Sequence, residues 1–476
     1  MLSRSIFRQY DIRGVVARDL TEAGAEAIGR GMAALLEERR EPKKVVVGRD
    51  NRPSGSGLRD ALIRGLRTGG VNVTDIGVVP TPALYWALHH LRVGCGIQIT
   101  GSHNPPEFNG MKISVGGQSL HGDALQHLFE LASRVEAPEA DAPAHASARP
   151  AGGALVKRGV LDAYVDDLVA RIGPVPTFRG RPLQIAVDCG NGAGALVAER
   201  FFKRLGVGVT LLFGDSDGTF PNHHPDPTVL ENLQDLIATV RRERCDFGIG
   251  FDGDADRIGL VDGAGQVVWG DYLLLLYARD VLQRSGQREP IIFDVKCSQA
   301  LPDAITAAGG TPVMWKTGHS LIKEKMRELG APVAGEMSGH MFFSEGFLGH
   351  DDAIYAAGRL CRIAAGAGRS VTEMLADVPA FVSTPEIRVD CDDARKFEVV
   401  TQAVAHFRGQ REVVDVDGAR VLYGDGWGLV RASNTQPILV LRFEARSRER
   451  LHQIRDDFAS WLATQGVAVP ELAGLG

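Results

Sequence analysis

Three aspartates at alternate positions, Asp252, Asp254 and Asp256 in "FDGDADRIG", are the strongest chemical signal in this sequence. In an extended segment that period sends all three carboxylates to one side, toward a common point. Carboxylates held so close repel unless a cation neutralises them, and an all-oxygen set suits a hard divalent ion such as Mg²⁺. An EF-hand is excluded, because its loop wants Gly at the sixth position and Glu at the twelfth, where this chain has Arg257 and Gly263. Apolar runs on both sides favour a tightly positioned loop over a solvated acidic turn. Three protein carboxylates leave room for a phosphate oxygen, the usual Mg²⁺ arrangement in phosphoryl transfer, with Arg257 beside them for another.

Three further loops carry reactive or hydrogen-bonding groups. In "GIQITGSHNPPEFNG" (Gly96–Gly110) a β-forming run ends at Thr100 and opens onto Ser102 and His103. No GxSxG elbow surrounds Ser102, which removes the usual hydrolase reading. Neighbours in extended backbone point in opposite directions, so adjacency alone does not make His103 the base for Ser102. The remaining role for Ser102 is that of phosphate carrier, its phosphoryl oxygens on the metal. "RASNTQP" (Arg431–Pro437) clusters donors suited to a phosphate, although Ser-Asn-Thr before proline is also a common turn composition. "GEMSGH" (Gly335–His340) sets a carboxylate, a hydroxyl and an imidazole between glycines, groups that suit sugar hydroxyls or, equally, a structural turn.

The elements that must position these loops repeat. Three segments open with a short β-branched run and a small-residue turn: "KKVVVGRDNRPSG" from Lys43, "RPLQIAVDCGNGAG" from Arg181 and "EPIIFDVKCSQA" from Glu289. Each continues through a helical pattern to a second strand after glycine, then to a third strand that ends in one of the loops above. Three similar α/β domains follow, each presenting a loop at an equivalent strand end, where open α/β sheets bind ligands. "EAPEADAPAHASARPAGGA" after the first unit is a linker or exposed loop. Beyond about Leu375 the pattern changes to strand, helix, strands and a final helix from about Ser447, a compact α+β module around "RASNTQP".

Bulk properties set the limits. A chain of 476 residues needs several domains, and 44% hydrophobic with 24% charged residues is ordinary for a globular protein. The net charge of -6 argues against nucleic-acid binding. The six cysteines, Cys95, Cys189, Cys245, Cys297, Cys361 and Cys391, show no paired spacing and read as buried free thiols. The start "MLSRSIFRQYDIRG" has no apolar signal core, and no run approaches the ~20 residues of a bilayer span. The expectation is a cytoplasmic enzyme with no membrane or nucleic-acid partner, a monomer or small homo-oligomer.

Taken together, "YDIRG" (Tyr10–Gly14), "TGSHNP" (Thr100–Pro105), "DGDADR" (Asp252–Arg257), "GEMSGH" and "RASNTQP" resemble, in order, the motifs of the α-D-phosphohexomutase superfamily. The sugar loop is similar to that of the bacterial phosphomannomutase/phosphoglucomutase group. The resemblance implies an α/β fold of four domains around a central cleft, the first three related mixed α/β sandwiches and the fourth a smaller α+β domain. The boundaries expected here are 1–152, 153–264, 265–376 and 377–476.

The resemblance also implies roles. Ser102 matches the phosphorylated serine and a metal ligand, with Asp252, Asp254 and Asp256 as the other Mg²⁺ ligands. Glu336 and Ser338 match the sugar-hydroxyl contacts, with His340 beside them. Arg431, Ser433, Asn434 and Thr435 match the clamp for the non-reacting phosphate. Arg13, His103, Lys112 and His319 match catalytic positions, and Tyr10, Arg257, Lys296 and Thr317 substrate-binding ones. Gln436 departs from relatives with Glu before the proline, which removes a charge from the clamp. His223 and His224 in "FPNHHPDP" suggest a metal pair but read better as a structural loop. The implied reaction interconverts hexose 1-phosphate and hexose 6-phosphate, of mannose or glucose, through a phosphoserine and a reorienting hexose 1,6-bisphosphate that also serves as activator. Rival readings are a mutase for glucosamine or N-acetylglucosamine phosphates, a Mg²⁺-dependent sugar-phosphate phosphatase and a non-catalytic sugar-phosphate binder.

Overall fold

The computed structural model describes residues 2–134, 152–434 and 437–470. Most of the alanine- and proline-rich linker, residues 136–151, lies outside them, as do Thr435 and Gln436. The chain forms two compact units, residues 1–273 with 338–374, and residues 274–337 with 375–476.

The first unit holds two sheets. The run "KVVVGR" becomes the strand Lys44–Arg49, buried from Val45 to Gly48, as a continuous β-branched run at the centre of a covered sheet should be. It pairs in parallel with Asn72–Val78 on one side and Gly96–Ile99 on the other. Gly96–Ile99 then pairs antiparallel with Phe108–Val115, so the Ser102 loop is the turn of that hairpin. The second sheet repeats the order. Gln184–Asp188 lies parallel to Gly208–Leu212 and to Phe247–Phe251, and Phe247–Phe251 pairs antiparallel with Ile258–Asp262. Here the turn of the hairpin is the aspartate loop.

Leu155–Lys157 joins the first sheet, in parallel with Asn72–Val78. The first sheet therefore takes in chain beyond residue 152, where the sequence puts the first boundary. A short exposed edge strand has no apolar pattern to announce it.

In the second unit Pro290–Asp294 is parallel to Thr311–Trp315 and Val333–Gly335, the third use of the same arrangement. The fourth sheet is antiparallel, built on Ala419–Leu422, Gly426–Ala432 and Ile438–Ala445 with Ile387–Asp390 at its side. One of its faces packs the helices Lys396–Arg408 and Arg448–Thr464 through Phe407, Phe443, Phe458 and Trp461. Ser447 caps the last helix, its hydroxyl accepting from Arg450 N at 3.2 Å.

Helix Ala353–Ala367 of the first unit starts at a buried cap. The Asp352 carboxylate accepts from Tyr355 N at 2.8 Å and from the Tyr164 hydroxyl at 2.8 Å. Burial nevertheless lifts Asp352 from 3.8 to about 7. The folded protein thus holds this proton more tightly than the unfolded chain. The stability from that proton is fully present below about pH 4, falls as pH rises, and is gone above about pH 7. Asp352→Asn keeps the cap and removes the titration. In urea unfolding it should gain stability over the wild type at pH 8, on the order of a few kcal/mol, and lose that advantage by pH 4.

Candidate active site

Ser102, Asp252, Asp254 and Asp256 come together in the first unit, all buried. The three aspartates each offer a carboxylate oxygen within 4.8 Å of the others. Their convergence does not come from strand alternation, as the sequence pattern suggests. Gly253–Ala255 form a turn in which Ala255 N donates to Asp252 O at 3.1 Å and Ala255 takes a left-handed φ of 59°. Folding the loop back brings the carboxylates closer than an extended strand allows.

The serine loop is seated on that turn. A Cβ on Gly253 would lie 2.5 Å from the Ser102 carbonyl oxygen, so only glycine permits the approach. Ser102 Oγ donates to Asp252 Oδ2 at 2.9 Å. The backbone of Ser102 is left-handed at φ 49°, which cancels the alternation expected of extended neighbours. His103 Nδ1 consequently lies 3.2 Å from Ser102 Oγ, closer than adjacency in a strand suggests. Burial, reinforced by Arg257 and Arg13, drives the His103 pKa well below its ordinary value, so the ring is neutral at pH 7.

The electrostatics of the triad are unbalanced. Lys112, on the strand Phe108–Val115, reaches Asp254 Oδ2 at 2.8 Å and also bonds Asp256 Oδ2. Burial opposes that ammonium, but Asp254 and Asp256 hold its pKa well above the usual lysine range. Asp254 Oδ2 also accepts from Thr81 Oγ1 at 2.5 Å, and the Thr81 N–H donates to the Asp254 carbonyl. Asp252 Oδ1 accepts from Asp256 N and Arg257 N, at 3.0 and 3.1 Å. Even so, burial and then Asp254 and Asp256 push Asp252 well above the carboxylate range. Asp254 Oδ1 has no hydrogen-bond partner among the described residues. The Lys112 ammonium and the Arg257 guanidinium bring less charge than three buried carboxylates, and an oxygen-only donor set with an orphaned oxygen fits a hard divalent cation.

His340 extends the cluster, with Nε2 at 3.2 Å from Asp256 Oδ1 and 3.4 Å from Arg257 Nε. Ser338 Oγ lies 3.3 Å from His340 Nδ1. Gly339 makes this junction possible, with φ 91° and room for a Cβ only 2.4 Å from the Ile258 carbonyl oxygen. Arg13 donates to Gly101 O at 3.0 Å and also bonds Asn104 and Asp11, so it borders the serine loop. Tyr10 is half-buried, two residues before the strand Ile12–Val15.

The second unit gathers a separate set. Glu336 Oε1 accepts from Gly318 N at 2.5 Å, next to His319, which starts the helix His319–Leu329. Thr317 donates from Oγ1 to Asp294 Oδ2 at 3.1 Å and from its N–H to Asp417 Oδ2 at 3.0 Å. Arg431 Nε reaches the same Asp417 oxygen at 3.0 Å. Lys296 Nζ pairs with Glu386 Oε2 at 2.8 Å, and that ammonium holds Glu386 at about 2. Ser433 N donates to Ile438 O at 3.0 Å, and Asn434 follows it; Thr435 lies outside the described residues.

Several partners escape a sequence reading: Asp50, Arg52, Thr81, Asp294, Glu386 and Asp417. Asp50 and Arg52 left one trace, a charged "GRDNR" directly after a buried strand end. His223, by contrast, behaves as a structural residue. Its Nδ1 bonds His224 O at 2.9 Å and its Nε2 bonds Asp188 at 3.0 Å. Burial lowers its pKa, but the bond to Asp188 outweighs that and raises it.

Binding of a divalent cation is directly measurable. Titration calorimetry with Mg²⁺ or Mn²⁺ should show one site, and Mg²⁺ at a hundred times its Kd should stabilise the fold by about 2.7 kcal/mol. Asp254→Asn should weaken binding at least about tenfold while leaving the fold intact. An unchanged Kd would remove Asp254 from the ligand set.

Comparison with known proteins agrees with this geometry. The phosphoglucomutase/phosphomannomutase α/β/α domain models I, II and III match residues 4–138, 162–265 and 269–381, and the C-terminal domain model matches 386–460. A phosphomannomutase/phosphoglucomutase of Pseudomonas putida is 46% identical, covering 97% of this chain and 96% of its own. A phosphoglucomutase of Neisseria gonorrhoeae is 42% identical over 96% of each chain. The crystal structure of a phosphoglucomutase/phosphomannomutase family protein from Burkholderia thailandensis superposes with a TM-score of 0.88. It is 43% identical and covers 99% of this chain and 100% of its own. Four domain matches in unbroken order, on a chain whose serine and aspartate loops already interlock, show that it belongs to the phosphoglucomutase/phosphomannomutase family of α-D-phosphohexomutases.

Proposed function

We propose that this protein is a phosphohexomutase that interconverts the 1- and 6-phosphates of glucose and mannose, with Ser102 as the phosphoryl carrier. The observation that carries this reading is the 2.9 Å bond from Ser102 Oγ to Asp252, inside a buried carboxylate triad with room for a cation. In this reading the enzyme rests with Ser102 phosphorylated. A hexose monophosphate presents its free 1- or 6-hydroxyl; the serine O–P bond breaks, a sugar O–P bond forms and the hydroxyl proton leaves to a base. The resulting 1,6-bisphosphate reorients and returns its other phosphoryl group to Ser102. The same bisphosphate, supplied from outside, rephosphorylates an enzyme that has lost its phosphate.

Asp252, Asp254 and Asp256 would hold Mg²⁺ together with an oxygen on Ser102. When bound, that ion neutralises charge on the transferring phosphoryl group. The chain's own residues do the rest. Lys112 carries its positive charge between Asp254 and Asp256, so it serves as electrostatic support rather than proton acceptor. His103 is the proton carrier nearest the serine, at 3.2 Å. Arg13 and Arg257 supply further positive charge. Glu336 and Ser338 take the sugar hydroxyls, and Arg431, Ser433, Asn434 and Thr435 the phosphate that does not react. Cysteines that form no disulfide fit a cytoplasmic enzyme, and no helix among the described residues is long and apolar enough to cross a membrane.

Incubation with glucose 1-phosphate, Mg²⁺ and catalytic glucose 1,6-bisphosphate should yield glucose 6-phosphate without net phosphate release. Ser102→Ala should lose turnover by a factor on the order of 10³ or more. Stoichiometric free phosphate would instead mark a phosphatase, and undiminished function in Ser102→Ala a non-catalytic binder.

Glu336 and Ser338 can serve both orientations of a reversing substrate only through hydroxyls near the axis of the turn. The 2-position, where glucose and mannose differ, is then left unread. Glucose and mannose 1-phosphates should accordingly show kcat/KM values within about tenfold of each other, equivalent to ~1.4 kcal/mol. Faster turnover of glucosamine or N-acetylglucosamine phosphates would reassign the substrate.

A further inference from the structure

We propose that Arg52 is a positioning residue for Ser102, a buried template that fixes the serine loop while the phosphoryl group comes and goes; the inference rests on the mutase reading above. Arg52 is fully buried and spends all five guanidinium N–H groups. Nη2 donates to Ser102 O at 2.8 Å and Asn104 O at 2.5 Å. Nη1 donates to Pro105 O at 2.6 Å and Phe108 O at 3.0 Å. Nε donates to Asp50 Oδ2 at 3.1 Å. Four of the five bonds go to backbone carbonyls of the loop that carries the serine.

Asp50 holds the near end of the same loop. Its Oδ2 accepts from Thr100 Oγ1 at 2.8 Å and from Gly101 N at 3.1 Å. The loop therefore rests on an ion pair, with the carboxylate gripping its Thr100 hydroxyl and Gly101 N–H and the guanidinium its carbonyls. Gly101 leaves the space for it, since a Cβ there would lie 2.5 Å from Arg52 Nε and Cζ. From the second sheet's side Phe220 stacks over the guanidinium at 5.0 Å, and Gly218 closes on Arg52 Cα. Part of "FPNHHPDP" thus acquires a purpose as the cover of the template.

The function of such a template is mechanical. Ser102 sits in a left-handed conformation that a serine does not favour. When phosphorylated it carries roughly two negative charges, gained and lost in each cycle, so the electrostatic push on the loop changes with every transfer. A loop free to yield would move Oγ away from the transfer line, and a displacement of ~1 Å can cost on the order of 10²-fold in rate. Four carbonyls tied to one rigid fork resist that push. Lysine cannot substitute, because its three donors radiate from one point.

The experiment uses full-length enzyme in the glucose 1-phosphate assay. Arg52→Lys and Gly101→Ala, which crowds the fork from the loop side, should each lower kcat about 100-fold with KM within about threefold of wild type. Phosphorylation of Ser102 by glucose 1,6-bisphosphate, followed by intact mass, should slow by a similar factor. Val46→Ala, a core deletion in the strand that leads to Arg52, should reduce thermal stability and leave kcat within about threefold. A variant pair that behaves like Val46→Ala, or whose loss lies in KM, overturns the proposal. So does failure of both variants to fold, which would assign these contacts to folding. Where Arg52→Lys alone does not fold, Gly101→Ala decides. If the wild type itself does not interconvert the phosphates, the mutase reading fails before this one is reached.

Discussion

Mutual repulsion of three buried carboxylates is the constraint from which the first unit's design follows. Two unit charges ~4 Å apart cost about 4 kcal/mol even at an effective dielectric of 20, and the triad contains three such pairs. Each stabilising contact has to come from a different direction. Lys112 arrives from the first sheet's hairpin, Thr81 from the start of the helix Thr81–Leu91, and the N–H groups of Asp256 and Arg257 from the turn itself. The first two sheets are docked through these bonds because neither can complete the site alone. What remains uncompensated is a demand for positive charge, and that demand is the binding energy available to a cation.

Loops that must not move are held in both units by buried arginines that donate to backbone carbonyls. In the second unit Arg420 donates to Val295 O and Cys297 O, both at 2.7 Å, and lies 3.8 Å over the Trp427 ring. Burial lowers its pKa to about 10, still charged at neutral pH. The chain it grips is the segment carrying Lys296, just as Arg52 grips the segment carrying Ser102. Carbonyl oxygens at a strand end have lost their ladder partners, and a planar fork satisfies several of them at once. A buried guanidinium satisfies most of its donors where such carbonyls surround it, so arginine and loop conformation stabilise each other.

The repeat of three α/β sheets was legible because a β-branched run followed by a small-residue turn is a local signal, visible in "KVVVGR" as in "PIIFD". The four motif loops were legible for the same reason, since their reactive groups lie within a few residues. What sequence could not show depends on the third dimension. The left-handed backbone at Ser102 and Ala255 replaced strand alternation and reversed the expected separation of Ser102 from His103. Asp417 and Asp294 meet Thr317 from positions 100 and 23 residues away, with nothing in their neighbourhoods to mark them. Arg52 left no more in the sequence than the charged "GRDNR" after a buried strand end, and its complete burial is visible only in the fold.

The charge distribution also explains how one enzyme can accept a substrate in two orientations. In the proposed mechanism the charged groups that face the Ser102 hydroxyl, the triad with Lys112 and, at the border of the loop, Arg13, act on the phosphoryl group. None of these reads a sugar. In the proposed mechanism the reacting phosphate is recognised by charge, which does not depend on which carbon bears it. Sugar recognition is left to a few directional hydrogen bonds such as those available to Glu336 and Ser338. Strong, orientation-blind forces at the chemical centre and weak, directional ones on the sugar are the division of labour that a reversing intermediate requires. A site that gripped the sugar more tightly would bind one orientation better and slow the turn between them.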